Sequence, residues 1–212
     1  MEQFRKTIIA NGKKTDVIFY LKDNVGLNIA QAIDILVLAK KYLNQYPCVQ
    51  LSLICDYYYL DHSNDVTEER YLYDDTGVKY EDRDDFARYW WDEKMIGFNH
   101  ILCQPLPHDN IELMSWNKIG QNIAIGDVAQ IKQYEREKTI ATIFKHEFAH
   151  AIENQLEIYK DEDMVALYES SNRKNDFKDI HEFIAECFVV NEYFPLNSVV
   201  RKTMKIIDGY VK

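Results

Sequence analysis

Nothing in this chain approaches the roughly 18 consecutive apolar residues that mark a membrane-spanning helix, so none is expected. The start, "MEQFRKTIIANGKK", lacks an apolar stretch of signal-peptide length. As it stands, the sequence leads to the expectation of a cytoplasmic protein; delivery into a host, or a trimmed leader, is compatible with the same start. The four cysteines, Cys48, Cys55, Cys103 and Cys187, form no CxxC pair. Reduced and mostly buried thiols are therefore expected. A basic excess is also missing. Lys and Arg number 25 against 35 Asp and Glu, the net charge is −10 and the pI is about 5.1. Nucleic-acid binding relies on a basic surface, so that role is disfavoured. No long repeat and no low-complexity tract interrupts the chain.

What is present suits one globular domain. The 212 residues are 47% hydrophobic and 28% charged, enough for a sizeable core. An N-terminal lobe is expected over 1–130 and the helices that carry the chemistry over 131–212. The charge is concentrated. Asp56 to Glu93 holds 13 acidic and 4 basic residues, seven of the fifteen tyrosines and the pair Trp90-Trp91. This segment reads either as a solvated insertion over packed aromatics or as a lobe whose negative field attracts a basic substrate or partner. Its aspartates, such as Asp74, Asp75, Asp82, Asp84 and Asp85, lack EF-hand spacing.

Apolar spacing at Ile29, Ala32, Ile33, Leu36, Val37 and Leu43 predicts a helix over 27–47, closed by Pro47. "VQLSLIC" (49–55) reads as a strand. "DYYYLD" and "RYLYDD" are expected to pair as a hairpin, and "DRDDFARYWWDEKM" to form a short helix. "NHILCQPLP", "IELMSW" and "GQNIAIGD" (120–127) are strand candidates. A long helix is predicted from about 133 to 158, then a polar connection over 159–178. Another helix follows at about 179–193, broken by Pro195, and a last one at 196–208 ends at Gly209. Without regular β-α alternation, this order points to the α+β class.

The tripeptide His-Glu-Phe occurs twice, in "KHEFAHAIE" (145–153) and "IHEFIAECF" (180–188). The first copy is an HExxH sequence. On a helix, His146 and His150 share one face and can place two imidazoles on one metal, with Glu147 one step round beside a water. That arrangement suits zinc, with Glu147 as general base for water attacking a carbonyl. A surface helix with two solvated histidines is the plainer reading. A catalytic zinc usually takes three protein ligands. The second copy has Ala185 where a second histidine would stand, but it pairs Glu182 with Glu186 four residues on. The rest of that helix is apolar at Phe183, Ile184, Cys187 and Phe188, and buried carboxylates need partners. Glu182 is the expected third ligand. Glu186 is expected to accept an N–H from a ligating imidazole. Asp179-x-x-Glu182 also fits a capping box, which would turn Glu182 back on the backbone. His181 is expected to be an exposed first-turn residue rather than a ligand.

"HEFAHAIE", followed after 32 residues by "EFIAECF", resembles the gluzincin metallopeptidases, and most of all the peptidase domain of anthrax lethal factor and the clostridial Pro-Pro endopeptidases. The resemblance covers roughly residues 120–195. It implies a zincin-like fold and one Zn2+ held by His146, His150 and Glu182. It also implies Glu147 as base, Glu186 behind the histidines, and a peptide or protein substrate. The family has an oxyanion-holding tyrosine seven residues before the ligand glutamate; here that position is Asn175. Tyr168, or Asn175 itself, is then the candidate donor. A second resemblance, through "AECFVVNEYFP" (185–195), is to phage-repressor-cleaving and stress-response metallopeptidases. The expectation is thus a zinc-dependent endopeptidase whose strand at about 121–126 pairs with an extended peptide. A non-catalytic module that keeps a structural zinc for protein–protein binding is the other class.

Overall fold

An Asn-Gly pair folds the beginning of the chain back on itself. Asn11 and Gly12 both have positive φ, 52° and 74°, as a two-residue type I′ hairpin turn requires. They join β1 (Glu2–Ala10) to β2 (Lys13–Leu21), which run antiparallel from Glu2 opposite Leu21 to Ala10 opposite Lys13. In the computed structural model the described residues are 2–21, 27–62, 84–106, 139–170, 177–191 and 197–211. The chain divides into two compact units, Met1–His108 and Asp109–Lys212. The described residues show a mixed α+β architecture with seven α-helices and a five-stranded sheet. No helix among them is long and apolar enough to cross a membrane.

The first unit contains the sheet. Its order is β1-β2-β3-β5-β4, with β3 at Leu53–Asp56, β4 at Ala87–Trp90 and β5 at Met95–Phe98. The central pairs β2–β3 and β3–β5 are parallel and the outer pairs antiparallel. β3 covers the last three residues of the expected 49–55 strand and runs one residue past it. The hairpin at the start was not among the sequence expectations, although Asn-Gly between strands is the strongest short hairpin signal. α1 (Ile29–Gln45) matches the predicted helix. Asn28 caps it reciprocally with Gln31, and Pro47 follows its end. Its buried face is Ala32, Ile35, Ala39, Tyr42 and Leu43, whereas Ile29, Ile33 and Val37 are exposed.

Three local expectations in this unit are corrected. "DYYYLD" is not a hairpin arm. Asp56 ends β3 and its carboxylate accepts from Tyr59 N at 2.6 Å, which starts α2 (Tyr57–His62). The partner arm "RYLYDD" lies outside the described residues. The helix expected in "DRDDFARYWWDEKM" is instead β4, a turn at 91–94 and the start of β5. "NHILCQPLP" forms not a strand but one helical turn, α3 (His100–Cys103), because Asn99 accepts from Ile101 N and Leu102 N. The candidates "IELMSW" and "GQNIAIGD" lie outside the described residues.

Gly97 is the position in this sheet where a side chain has no room. A Cβ there would meet Trp90 Cζ3 at 2.7 Å and Tyr57 Cε1 at 3.1 Å. The Trp90 ring therefore comes close to Gly97 and packs against a cluster of Ile18, Cys55, Tyr57, Tyr59, Leu60 and Met95.

The second unit is helical in its described part. α4 (Ile140–Gln155) carries the first His-Glu-Phe copy. Thr139 and Thr142 form its capping box. α4 is buried on nearly every side, as a central helix should be. Glu157 at φ 52° ends it and leads into a 3₁₀ turn, Ile158–Lys160. The polar connection expected next contains α5 (Glu162–Ser170), started by Asp161 accepting from Met164 N. α6 (Ile180–Val190) carries the second copy and packs chiefly on α4. α7 (Ser198–Val211) packs on α6 and runs through Gly209 rather than ending there. A Cβ at Gly209 would meet nothing within 4 Å, so this glycine marks no structural requirement. All four cysteines remain thiols; Cys55, Cys103 and Cys187 are buried and Cys48 is exposed.

Candidate metal centre

His146 and His150 stand one turn apart on α4, with Glu182 and Glu186 one turn apart on α6. α4 and α6 pack on each other, and both are largely apolar elsewhere. Phe144, Phe148 and Ile152 are buried on α4, and Phe183, Ile184 and Cys187 on α6. The imidazoles of α4 and the carboxylates of α6 face one another, so these part-buried polar groups have partners.

They meet in a defined arrangement. The Nε2 atoms of His146 and His150 are 3.1 Å apart. The Glu182 carboxylate spans both, Oε2 lying 3.3 Å from His146 Nε2 and Oε1 3.6 Å from His150 Nε2. One atom from each residue lies within 4.8 Å of the others, the only such group of three among the described residues. Zinc bonds nitrogen and oxygen at about 2.0–2.2 Å in tetrahedral geometry, which spaces neighbouring donors by about 3.3 Å. Two imidazole nitrogens and a carboxylate at 3.1–3.6 Å therefore fit a four-coordinate ion that keeps one position open. Glu182 is the most exposed of the three, 35% against 20% and 13% for the histidines.

The outer faces of both imidazoles also meet carboxylates. His146 Nδ1 lies 3.0 Å from Glu186 Oε1, the place expected for that residue. His150 Nδ1 faces Glu153 Oε1 at 3.6 Å. Glu153 is completely buried, and its Oε1 takes a hydrogen bond of 2.9 Å from His181 Nδ1. Neither Glu153 nor His181 was assigned a part by the sequence. His181 is in the first turn of its helix but is not an idle solvated residue, being hydrogen-bonded and set against the Tyr159 ring at 4.8 Å. The spacing of Glu153, three after His150 on a helix buried almost all round, was the available signal.

The electrostatics favour a cation. Burial pulls the His146 imidazole toward neutrality, but hydrogen bonds with Glu182 and Glu186 and the charge of Glu147 outweigh it, and its pKa lies well above 6.5. The hydrogen bond from His146 holds Glu182 down to about 2 against the effect of burial. A protonated His146 supplies positive charge between these carboxylates; a divalent ion answers the same demand more fully.

Glu147, next to His146 on α4, is buried. Asp179 does cap α6, accepting from Glu182 N at 3.0 Å, while the Glu182 carboxylate points to the histidines. Tyr168 on α5 packs its ring against Phe183 at 5.5 Å. Asn175 and the strand expected at 121–126 lie outside the described residues. Comparison of the chain with family models, curated proteins and solved structures finds no match.

Proposed function

We propose that this chain is a zinc-dependent endopeptidase of zincin-like fold that acts on a peptide or protein substrate. The observation that carries the reading is the convergence of His146 Nε2, His150 Nε2 and the Glu182 carboxylate at 3.1–3.6 Å, with an HExxH glutamate on the same helix. A zinc ion bound there would polarise a scissile carbonyl and lower the pKa of a water to about 7. Glu147 would take the proton of the attacking water and return it to the leaving amine nitrogen. Glu186 would accept from His146 Nδ1, so that Nε2 keeps its lone pair for the ion. Tyr168 or Asn175 would supply the oxyanion contact, which is worth roughly 10²–10³ in rate.

One observation favours a second reading. With Asn175 where the resembled family has its oxyanion tyrosine, a module that holds zinc without turnover keeps every ligand and lacks only that donor. A peptide-library cleavage screen of zinc-loaded protein separates the two. The enzyme reading expects cleavage that Glu147→Ala lowers by at least 10²-fold with zinc retained, while Glu182→Ala loses both zinc and cleavage. Wild-type protein that carries stoichiometric zinc and cuts no peptide belongs to the second reading.

A further inference from the structure

We propose that Glu153 is a positioning residue for His150, held in place by His181, so that α6 controls one imidazole from both of its edges. The inference rests on the metal reading above and does not depend on peptidase activity. His150 is seen by α6 twice. Glu182 addresses its Nε2 directly at 3.6 Å. His181, the preceding residue, reaches past it to Glu153, and Glu153 Oε1 is the carboxylate atom facing His150 Nδ1.

The placement of Glu153 asks for an explanation. It is completely buried, and its Oε2 has no hydrogen-bond partner among the described residues. A carboxylate kept this way is costly to the fold, and a leucine would pack on α4 without that cost. The chemistry of the neighbouring imidazole accounts for it. To offer Nε2 to a metal, His150 must carry its proton on Nδ1, and the carboxylate facing that atom is Glu153. At 3.6 Å this contact is longer than a hydrogen bond. Glu153 Oε1 is nevertheless the carboxylate oxygen on the Nδ1 side of the ring. His181 limits the freedom of Glu153 to turn away, through its 2.9 Å hydrogen bond.

The two imidazoles are thereby backed from different helices. His146 leans on Glu186 of α6, and His150 on Glu153 of its own helix, which α6 holds through His181. A role confined to stability predicts that replacing Glu153 changes melting and leaves metal binding alone. A positioning role predicts the reverse.

Zinc affinity of the full chain, measured by competition with a chromophoric chelator, decides between them. The visible spectrum of the cobalt(II)-loaded protein and the melting of the metal-free protein complete the set. Glu153→Gln, which keeps shape and one acceptor but removes the charge, is expected to weaken zinc about 10-fold, and Glu153→Leu up to about 100-fold. Both should alter the cobalt bands, while the metal-free Leu variant melts no lower than wild type. His181→Leu should weaken zinc about 10-fold, and His181→Gln, whose amide can still donate to Glu153, should restore most of it. Wild-type affinity and an unchanged cobalt spectrum in Glu153→Gln would overturn the proposal even if Glu153→Leu does not fold. Wild-type protein that takes up no metal would overturn the metal reading and this proposal together.

Discussion

Asp56 and His100 are both buried in the first unit, and they act on its acid stability in opposite directions. Burial pushes Asp56 up to about 7, against two backbone N–H donors, Tyr59 and Tyr20, that favour its charge. A folded pKa raised above the ordinary 3.8 gives stability that is complete below that value and is lost as pH rises through 7. Burial, with the charge of His62 beside it, pushes His100 down to about 4. A folded pKa lowered from 6.5 gives stability that is complete above that value and is lost as pH falls through 4. Between pH 4 and 6.5 the two slopes oppose each other. A tenfold change in acidity is worth about 1.4 kcal/mol, so each residue tilts the profile by an amount of order a few kcal/mol. Asp56→Asn should unmask the His100 slope, so that urea midpoints fall on acidification. His100→Gln should unmask the opposite slope. Midpoint profiles of both variants that run parallel to wild type would refute the assignment.

At the scale of elements, the close approach of Trp90 to β5 makes Gly97 sensitive. Gly97→Ala is expected to lower stability by about 1–3 kcal/mol, since the added methyl must push an aromatic ring out of its cluster. Denaturant titration reads the loss, and Trp90→Leu in the same background should recover part of it. Which elements were legible follows from where their information lies. α1, α4 and α6 announce themselves through apolar periodicity and caps written within a few residues. β4 and β5 did not, because the charges of "DRDDFARYWWDEKM" suggest a helix, whereas Tyr89 and Trp90 are needed as a strand surface against Ile96 and Met95. α2 was hidden because tyrosines favour strands, and the single cap at Asp56 overrides them. The same distinction holds in the candidate centre. HExxH fits in one helical turn and is readable as it stands. The Glu153–His181 bond joins residues 28 apart and becomes visible only when α4 and α6 are placed together.

For the molecule as a whole, the proposed ion would act as a cross-link of the second unit. It would join α4 to α6, whose other bonds are apolar packing and imidazole–carboxylate contacts. Zinc at 100 times its Kd should add about 2.7 kcal/mol. For a unit of this size that raises Tm on the order of 10 °C. A chelator should reverse the shift, and hydrogen exchange should locate the protection in α4 and α6. Melting that is indifferent to both zinc and chelator would remove the cross-link.

The unequal burial of the four cysteines makes the native chain its own reporter. Burial pushes the Cys55 thiol well above 9.0 and Cys187 up to about 12, and Cys103 Sγ is engaged with the Phe86 carbonyl at 3.1 Å. Only Cys48 should then react with a maleimide dye under native conditions. A fluorophore can be attached to the first unit without mutagenesis. The arrival of a second, third and fourth label, read by mass spectrometry, would time the opening of each unit, with Cys187 alone marking the helix that carries Glu182.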